Sequence, residues 1–397
     1  MGIETKNSTK NGRFGHFGGQ FVAPILLPVL DRLEAAFYDA WKDAEFRDTL
    51  NQLLHRYVGR PTPLFDIPRF AARKDGAQIV LKRDDLTFNG GNYANSAVGQ
   101  CLLAKRMGLN AVVADTGSGQ NGIATAAVAA RFGMECTIYI GASDATRQPS
   151  TVKKMTLFGA KVQIVEDADR ALSAATSAAT RHWMGHNDTT TYVAGAPIGP
   201  HPYPEMVAAF QAVIGRETRL QLIDQGLAPS IFVSAVGGGA STIGLFSAFL
   251  DDPQVRLMAV EGAGEGGEKS AHSARLGRGR RGVFHGAETM VLADAHGQII
   301  STSSIAPGLS YPGSSPQLAH LVETGRIETM EVSNAAAKAA VLRLAKREGI
   351  LLCLEAGHAL AAAEGLAVQL SPDRTIVVMA QSSGDKDIET LVEETPQ

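Results

Sequence analysis

Short runs rich in valine, isoleucine and leucine alternate along this chain with alanine-rich stretches, and this alternation constrains the fold more than any other feature. The apolar runs predict β-strands over residues 77–82, 111–114, 136–140, 161–165, 230–235, 256–260 and 375–379. Between them, residues 95–107, 122–132 and 334–348 have the amphipathic pattern typical of helices. Because parallel strands need helical crossovers, this order predicts an α/β protein whose parallel sheets are covered on both faces.

Length and composition exclude several classes of protein. A chain of 397 residues is too long for one minimal core, so we expect two or three domains. Its net charge of −3 creates no field that would attract nucleic acid or a membrane surface. The three cysteines, Cys101, Cys136 and Cys353, are far apart, as in proteins of the reducing cytoplasm. No apolar run approaches the roughly 20 residues that cross a bilayer. We therefore expect a cytoplasmic protein without nucleic-acid or membrane partners.

Three local patterns have both a functional and a simpler structural interpretation. The glycines at 237–239 follow a predicted strand, where backbone N–H groups can bind an anion; a tight turn is the alternative. His182 and His186 have a spacing that can hold zinc, but no third ligand is evident, so we expect surface histidines and no metal site. The basic segment 275–281 is expected to be a solvated loop rather than a nucleic-acid patch.

Ordered blocks along nearly the whole chain resemble the tryptophan synthase beta subunit family. The blocks cover residues 12–22, 59–64, 81–100, 115–122, 199–204, 235–239, 308–313, 354–359 and 384–387. The resemblance implies the type II fold of enzymes that use pyridoxal phosphate (PLP), with two doubly wound parallel-sheet domains and the active site between them. It also implies a homodimer and allows a partner similar to the tryptophan synthase alpha subunit.

The same resemblance places the domain boundaries. Residues 1–58 and 91–211 would form the N-terminal α/β domain. Within it, a mobile communication subdomain would occupy about residues 108–195. Residues 59–90 and 212–397 would form the C-terminal α/β domain.

The chain departs from that family around the cofactor. The family's Schiff-base lysine corresponds to Tyr93, and a phenol cannot condense with an aldehyde to form an imine. The histidine before that lysine corresponds to Asn92, and the serine that bonds the pyridine nitrogen corresponds to Gln381. The former phosphate loop has lost a serine and an asparagine, and now reads Gly237, Gly238, Gly239, Ala240 and Ser241. We therefore expect that PLP is no longer a covalent cofactor.

The substrate side of the resembling site is partly retained. The family's catalytic glutamate corresponds to Asp115, which is one methylene shorter, and an aspartate that contacts the substrate corresponds to Ser310. The loop that binds the substrate carboxylate keeps its glycines, with Asn121 in place of a histidine. The resemblance assigns substrate binding to Thr116, Gly117, Ser118, Gly119, Gln120, Asn121, Ser310 and Gln381.

Three residues are candidate catalytic groups. Tyr93 could donate a proton, or could only fill the volume vacated by lysine and cofactor. Asp115 lies between a predicted strand and a glycine loop, a position that favours ligand contact, although it could instead cap the loop. Glu355, which corresponds to a glutamate facing the cofactor ring, lies in an apolar stretch. It is therefore either a general acid of raised pKa or a hub of structural hydrogen bonds.

These residues lead to three alternative functions. The first is a PLP-independent enzyme of specialised metabolism. It would use acid–base catalysis for cyclisation, isomerisation, elimination or carbon–carbon bond formation on an aromatic or indole-like substrate that bears a carboxylate. The second is a non-catalytic paralogue that binds a tryptophan synthase subunit. The third is residual PLP-dependent β-replacement, for which Lys82 is the lysine close enough in sequence to substitute. We expect the first. A monovalent cation, held in the family by backbone carbonyls near Gly237, Tyr311 and Gly313, is compatible with the sequence.

Overall fold

A six-stranded sheet forms the larger part of the framework in the computed structural model, which describes residues 12–71, 76–167, 170–265 and 271–393. In spatial order its strands are β13 (Glu328–Val332), β10 (Arg256–Gly262), β9 (Pro229–Ala235), β14 (Thr375–Ala380), β4 (Gln78–Arg83) and β3 (Leu64–Asp66). Neighbours are parallel except for the edge strand β3, which is antiparallel to β4. Every residue of β14 is buried, as expected for a central strand covered on both faces.

A four-stranded parallel sheet forms the second part. Its strands, in spatial order, are β7 (Lys161–Val165), β6 (Glu135–Gly141), β5 (Ala111–Thr116) and β8 (Thr190–Tyr192). The seven strands predicted from the sequence are all present in the two sheets, with ends that differ by at most two residues. The predicted α/β class with parallel sheets is thereby confirmed.

Helices cover both sheets. They are α1 (Leu27–Lys42), α2 (Ala44–Leu53), α3 (Tyr93–Arg106), α4 (Gln120–Phe132), α5 (Ala142–Arg147), α6 (Pro149–Leu157), α7 (Leu172–Gly185), α8 (Tyr203–Gln211), α9 (Val213–Asp224), α10 (Ala240–Phe246), α11 (Arg275–Arg278), α12 (Pro316–Glu323), α13 (Asn334–Glu348), α14 (Leu354–Ala367) and α15 (Ile388–Val392). Helices α10 and α14 pack against β9, and helices α4 and α7 pack against β5 and β6. Within the described ranges, no helix is long and apolar enough to cross a membrane.

A small antiparallel sheet joins two distant parts of the chain. Its order is β1 (Arg13–Phe14), β2 (Phe17–Gly18), β12 (Ala287–Val291) and β11 (Arg280–Phe284). The basic segment 275–281 therefore contributes α11 and the start of β11, and the expectation of a solvated loop is wrong for Arg275. The Arg275 side chain is fully buried. Its guanidinium donates hydrogen bonds to backbone carbonyls, and these bonds replace those that water would make.

Candidate active site

A cavity of about 390 Å³ lies where strands of the two parallel sheets end. Asp115 and Thr116, the last residues of β5, line this cavity from the smaller sheet. Gly238, which follows β9, lines it from the larger sheet. In parallel α/β proteins ligands bind beyond the carboxyl ends of the strands, so this cavity is the candidate active site.

One wall of the cavity is aromatic. The ring centroids of Trp183 and Tyr192 are 6.0 Å apart and nearly parallel, and the Tyr203 ring lies edge-on to Tyr192 at 5.6 Å. The side chains of Phe21 and Tyr93 also line the cavity. Rings prefer stacked or edge-to-face contacts with other rings, so this wall suits a flat aromatic ligand.

Asp115 is buried at this wall with two hydroxyl groups close to its carboxyl oxygens. The Tyr192 hydroxyl donates to Oδ1 of Asp115 at 2.5 Å, and the Thr176 hydroxyl lies 2.6 Å from Oδ2. Burial raises the pKa of Asp115 above its ordinary value, although both hydrogen bonds act in the opposite direction. Loss of water penalises the charged form more than two neutral donors stabilise it.

The hydroxyl of Thr176 is placed to donate to either of two oxygens. It lies 2.6 Å from Asp115 Oδ2 and 2.9 Å from the carbonyl oxygen of Leu172, yet it carries one proton. Thr176 can therefore donate to Asp115 or to Leu172 in turn. Because burial raises the pKa of Asp115, its carboxyl group is easier to protonate than an exposed aspartate, as a proton donor requires.

The predicted carboxylate loop reaches the cavity only in part. Thr116, Gly117, Ser118 and Asn121 line it, while Gly119 and Gln120 do not. Gly119 has a φ of 80° at the start of α4, and a Cβ there would lie 2.5 Å from Thr151. The Asn121 side chain donates to the backbone oxygen of Asp115 at 2.8 Å, which ties the loop to the acidic residue. Gly119 therefore shapes the loop, and its neighbours Thr116, Gly117, Ser118 and Asn121 line the cavity.

Tyr93 begins helix α3 and lines the cavity. Its pKa is raised by burial and by the negative charge of Glu355, and it is lowered to a lesser extent by the Lys386 ammonium. A phenol in this setting remains neutral, so Tyr93 can donate a hydrogen bond or a proton but is a poor base.

Glu355 lies behind the cavity wall, in a buried ionic network that the sequence did not reveal. The Lys386 amine lies 2.9 Å from Glu355 Oε2 and 2.8 Å from Asp387 Oδ2. Burial alone would raise the pKa of Glu355, but the Lys386 charge holds it below its ordinary value. Glu355 also accepts a hydrogen bond from the backbone N–H of Gly308, which does line the cavity. A general-acid role for Glu355 does not fit an ionised carboxylate, and the structure favours the hub of hydrogen bonds.

No lysine of the described residues lines the cavity. Lys82, the lysine considered as a substitute, is fully buried and donates to Glu217, Gln221 and the Thr62 carbonyl at 3.0, 3.0 and 2.7 Å. Burial lowers the pKa of Lys82, opposed by the charges of Asp84 and Glu217. Burial would likewise lower the pKa of Lys386, but Asp387 and Glu355 raise it above its ordinary value.

The other residues assigned by resemblance lie outside the cavity wall. Of the former phosphate loop, Gly238 alone lines the cavity. Gly237, Gly239, Ala240 and Ser241 do not, nor do Ser310 and Gln381. The loop is tightly packed, because a Cβ on Gly237 would lie 1.9 Å from the Gly308 oxygen and one on Gly238 would lie 2.2 Å from Ala196. Direct ligand contact is therefore not supported for these outlying positions.

Several cavity residues escaped the sequence analysis. Tyr192, Thr176 and His285 are examples, and His285 Nδ1 lies 2.5 Å from the hydroxyl of Tyr311, a residue that the sequence suggested only as a neighbour of a cation site. Tyr311 and Lys386 lie within sequence blocks on which the family resemblance rests. Their positions in those blocks could have marked them as residues near the site. Tyr192 and Thr176 had no such signal, because they meet Asp115 only through the packing of β8 and α7 against β5.

His182 and His186 contact each other at the end of α7. The rings of His182 and His186 lie 4.5 Å apart, and His182 contacts the Tyr139 hydroxyl at 3.0 Å. Within the part of the chain that the structure describes, no three His, Cys, Asp or Glu side chains are grouped to hold a metal ion.

The fold is that of an α/β protein with a cavity at the ends of two parallel sheets. Residues 56–382 match the pyridoxal-phosphate dependent enzyme family, and the chain belongs to that family. The crystal structure of a pyridoxal 5′-phosphate-dependent aspartate racemase is similar to this one. The two share 20% sequence identity over 87% of this chain and 97% of that chain, with a TM-score of 0.66. At that identity the likeness establishes the fold.

Proposed function

We propose that this protein is a PLP-independent enzyme that performs acid–base chemistry on an aromatic substrate carrying a carboxylate. The observation that carries the proposal is the buried pair of Asp115 and Tyr192 in an aromatic cavity that no described lysine lines. The scaffold would then be that of a tryptophan synthase beta-like protein whose cofactor chemistry has been lost.

The residues that the structure describes do not fit PLP held as an imine. That linkage needs a neutral lysine amine within reach of the cofactor aldehyde. Lys386 is held as an ammonium by two carboxylates, and Lys82 donates to Glu217 away from the cavity. Tyr93 cannot form the linkage. These contacts support a reaction that proceeds without a covalently attached cofactor.

The cavity lining supports the proposed substrate class. The rings of Trp183, Tyr192 and Tyr203 offer contacts to a flat aromatic group. Ser118 and the backbone of the glycine loop can donate hydrogen bonds to a carboxylate. Arg181 also lines the cavity, and its guanidinium, which lies 3.8 Å from Asp167 Oδ2, is the positive charge proposed to attract the carboxylate. An indole-like carboxylic acid combines both requirements.

Asp115 would act as the proton donor. In its neutral form it can transfer its proton to the substrate, and the resulting carboxylate would keep the hydrogen bond from Tyr192. Thr176 could then turn its proton from the Leu172 carbonyl towards the new anion. Tyr93, which also lines the cavity, is a neutral phenol and would donate a hydrogen bond to the substrate.

A PLP-dependent reaction is the second candidate, and the family match favours it. In that case Lys82 would have to leave Glu217, or PLP would be held without a covalent bond. The covalent form of this candidate differs from the first in the formation of a reducible imine, and the non-covalent form differs in the absorbance of PLP that stays with the protein after free PLP is removed.

Absorbance spectroscopy separates the two candidates. The purified protein is measured alone and with added PLP, then treated with borohydride and analysed by intact mass. The proposal expects no imine band and no PLP-sized adduct. An adduct that disappears in Lys82→Met would replace the proposal with the PLP-dependent candidate.

Thermal unfolding with indole-3-carboxylate and with indole tests the substrate class. We expect indole-3-carboxylate to raise Tm more than indole does, and Arg181→Ala to reduce that difference. Equal shifts for the two compounds, or none, would contradict the proposed carboxylate recognition.

A further inference from the structure

The guanidinium of Arg275 is enclosed by backbone carbonyls next to the cavity. The side chain is fully buried at the start of α11. Its Nη1 donates to the carbonyl oxygens of Ser273, Leu309 and Tyr311, and its Nη2 donates to those of Val236 and Gly237. The distances to Leu309, Tyr311 and Gly237 are 2.9, 3.2 and 2.9 Å. One cation thus satisfies carbonyls from three separate segments.

A single buried carboxylate balances this charge. Glu261, at the end of β10, lies with Oε1 3.6 Å from Nε of Arg275, and both side chains are fully buried. Glu261 also accepts hydrogen bonds from the backbone N–H groups of Leu276 and Gly277. An arginine side chain stays protonated in proteins, so the carbonyl group faces a permanent positive charge.

Clusters of backbone carbonyls are the means by which proteins replace the hydration shell of a monovalent cation. The sequence was compatible with such a cation near Gly237, Tyr311 and Gly313, and the carbonyls of Gly237 and Tyr311 instead accept from Arg275. The guanidinium therefore occupies the position that a bound monovalent cation would take, and a free cation does not fit beside it.

We infer that Arg275 is a built-in cation that takes the place of a bound monovalent ion and positions two segments of the cavity wall. The segments concerned contain Gly238 on one side and Gly308 and Tyr311 on the other, all of which line the cavity. Arginine suits this task because its planar group has five donors in fixed directions, whereas lysine presents three donors at one point. The inference is independent of the reaction proposed above.

The test measures Tm in chlorides of choline, sodium, potassium and caesium at one ionic strength. The wild-type protein should have the same Tm in all four salts. Arg275→Ala should lower Tm by roughly 5 to 10 °C in choline chloride, because Glu261 and the carbonyls lose their partner. Potassium, caesium or millimolar guanidinium should restore part of this loss with saturable dependence on concentration.

Arg326→Ala is the matched control. Arg326 also donates to backbone carbonyls, those of Phe249, Leu250, Asp252 and Val255, but it is partly exposed and does not line the cavity. Water can replace its guanidinium, so its loss should lower Tm equally in all salts. This separates replacement of an ion from a general loss of hydrogen bonds.

Arg275→Lys keeps the test decisive if the alanine variant does not fold. Its ammonium should still exclude other cations, so its Tm should fall below that of the wild type and remain independent of the salt. A wild-type or Arg275→Lys Tm that rises saturably with potassium over choline would overturn the inference. So would an Arg275→Ala protein with the same Tm in every salt.

Discussion

Asp115 and Glu355 are both buried carboxyl groups that would repel an ionised Tyr93 when they are themselves ionised, but their pKa values are displaced in opposite directions. Asp115 lies in the cavity wall among neutral partners, the hydroxyls of Tyr192 and Thr176. Glu355 lies behind the wall against the ammonium of Lys386. The surroundings of Asp115 therefore favour its protonated form at a position that a ligand can reach, and those of Glu355 favour a charge that supports the wall.

Burial alone does not make a carboxyl group an acid. Burial raises the pKa in both regions, and the charge of the nearest partner decides the outcome. The Lys386 ammonium outweighs burial at Glu355, whereas two hydroxyl groups do not outweigh it at Asp115. The proposed chemistry depends on the surroundings of Asp115, since a general acid must hold its proton until the substrate is bound.

Replacing Asp115 with asparagine should have the largest effect. The amide can accept from Tyr192 and donate to Thr176 as the protonated acid does, so the fold should be retained. It cannot release a proton, so turnover of the substrate should fall by about 10²- to 10⁴-fold. Turnover and circular dichroism are the measurements. Asp39→Asn, at an exposed ion pair with Arg106, is the control. Full turnover in Asp115→Asn would remove this residue from the mechanism.

Breaking the ionic network should mainly cost stability. Lys386→Met leaves the carboxylates of Glu355 and Asp387 buried without their cation, and should lower the free energy of unfolding by about 3–5 kcal/mol. Urea denaturation measures this loss, with Lys42→Met at the exposed end of α1 as the control. The double variant Lys386→Met/Glu355→Gln should recover part of it. An unchanged denaturation midpoint would show that the network is not stabilising.

The two carboxyl groups should give opposite dependences of stability on pH. The folded protein holds the Asp115 proton more tightly than the unfolded chain, so this group destabilises the fold as pH rises from about 4 towards its raised pKa. Glu355 has a lowered pKa, so its stabilisation is present above about pH 4 and is lost as pH falls through that lowered value.

Denaturation of Asp115→Asn and Glu355→Gln over a pH series checks these signs. Relative to the wild type, Asp115→Asn should become more stable as pH rises, and Glu355→Gln should become less stable. Two variants with the same trend would refute the contrast between the regions.

The smallest expected effect is that of Thr176→Val. This change removes the hydroxyl beside Asp115 Oδ2 and should cost about 1 kcal/mol of stability. The hydrogen bond from Thr176 lowers the pKa of Asp115, so its removal should raise that pKa further. The alkaline limb of the pH profile of turnover should therefore move to higher pH. Thr180→Val, on the same helix and also at the cavity, is the control without this contact.

Much of the architecture could be predicted from the sequence, because local patterns encode it. Alternation of apolar strands and amphipathic helices predicted parallel sheets, the family resemblance implied two of them, and a glycine-rich block placed the loop after Asp115 at the end of a strand. It also singled out Asp115 and Tyr93, which both line the cavity.

The tertiary structure alone decided the electrostatic role of each group. Asp115 meets Tyr192 across 77 positions of sequence, Glu355 meets Lys386 across 31, and Arg275 meets the Gly237 carbonyl across 38. A pKa depends on burial and on the nearest charges, and neither is a property of the local sequence. For that reason the sequence could name the carboxyl groups, but only packing could show that the pKa of Asp115 is raised and that of Glu355 is lowered.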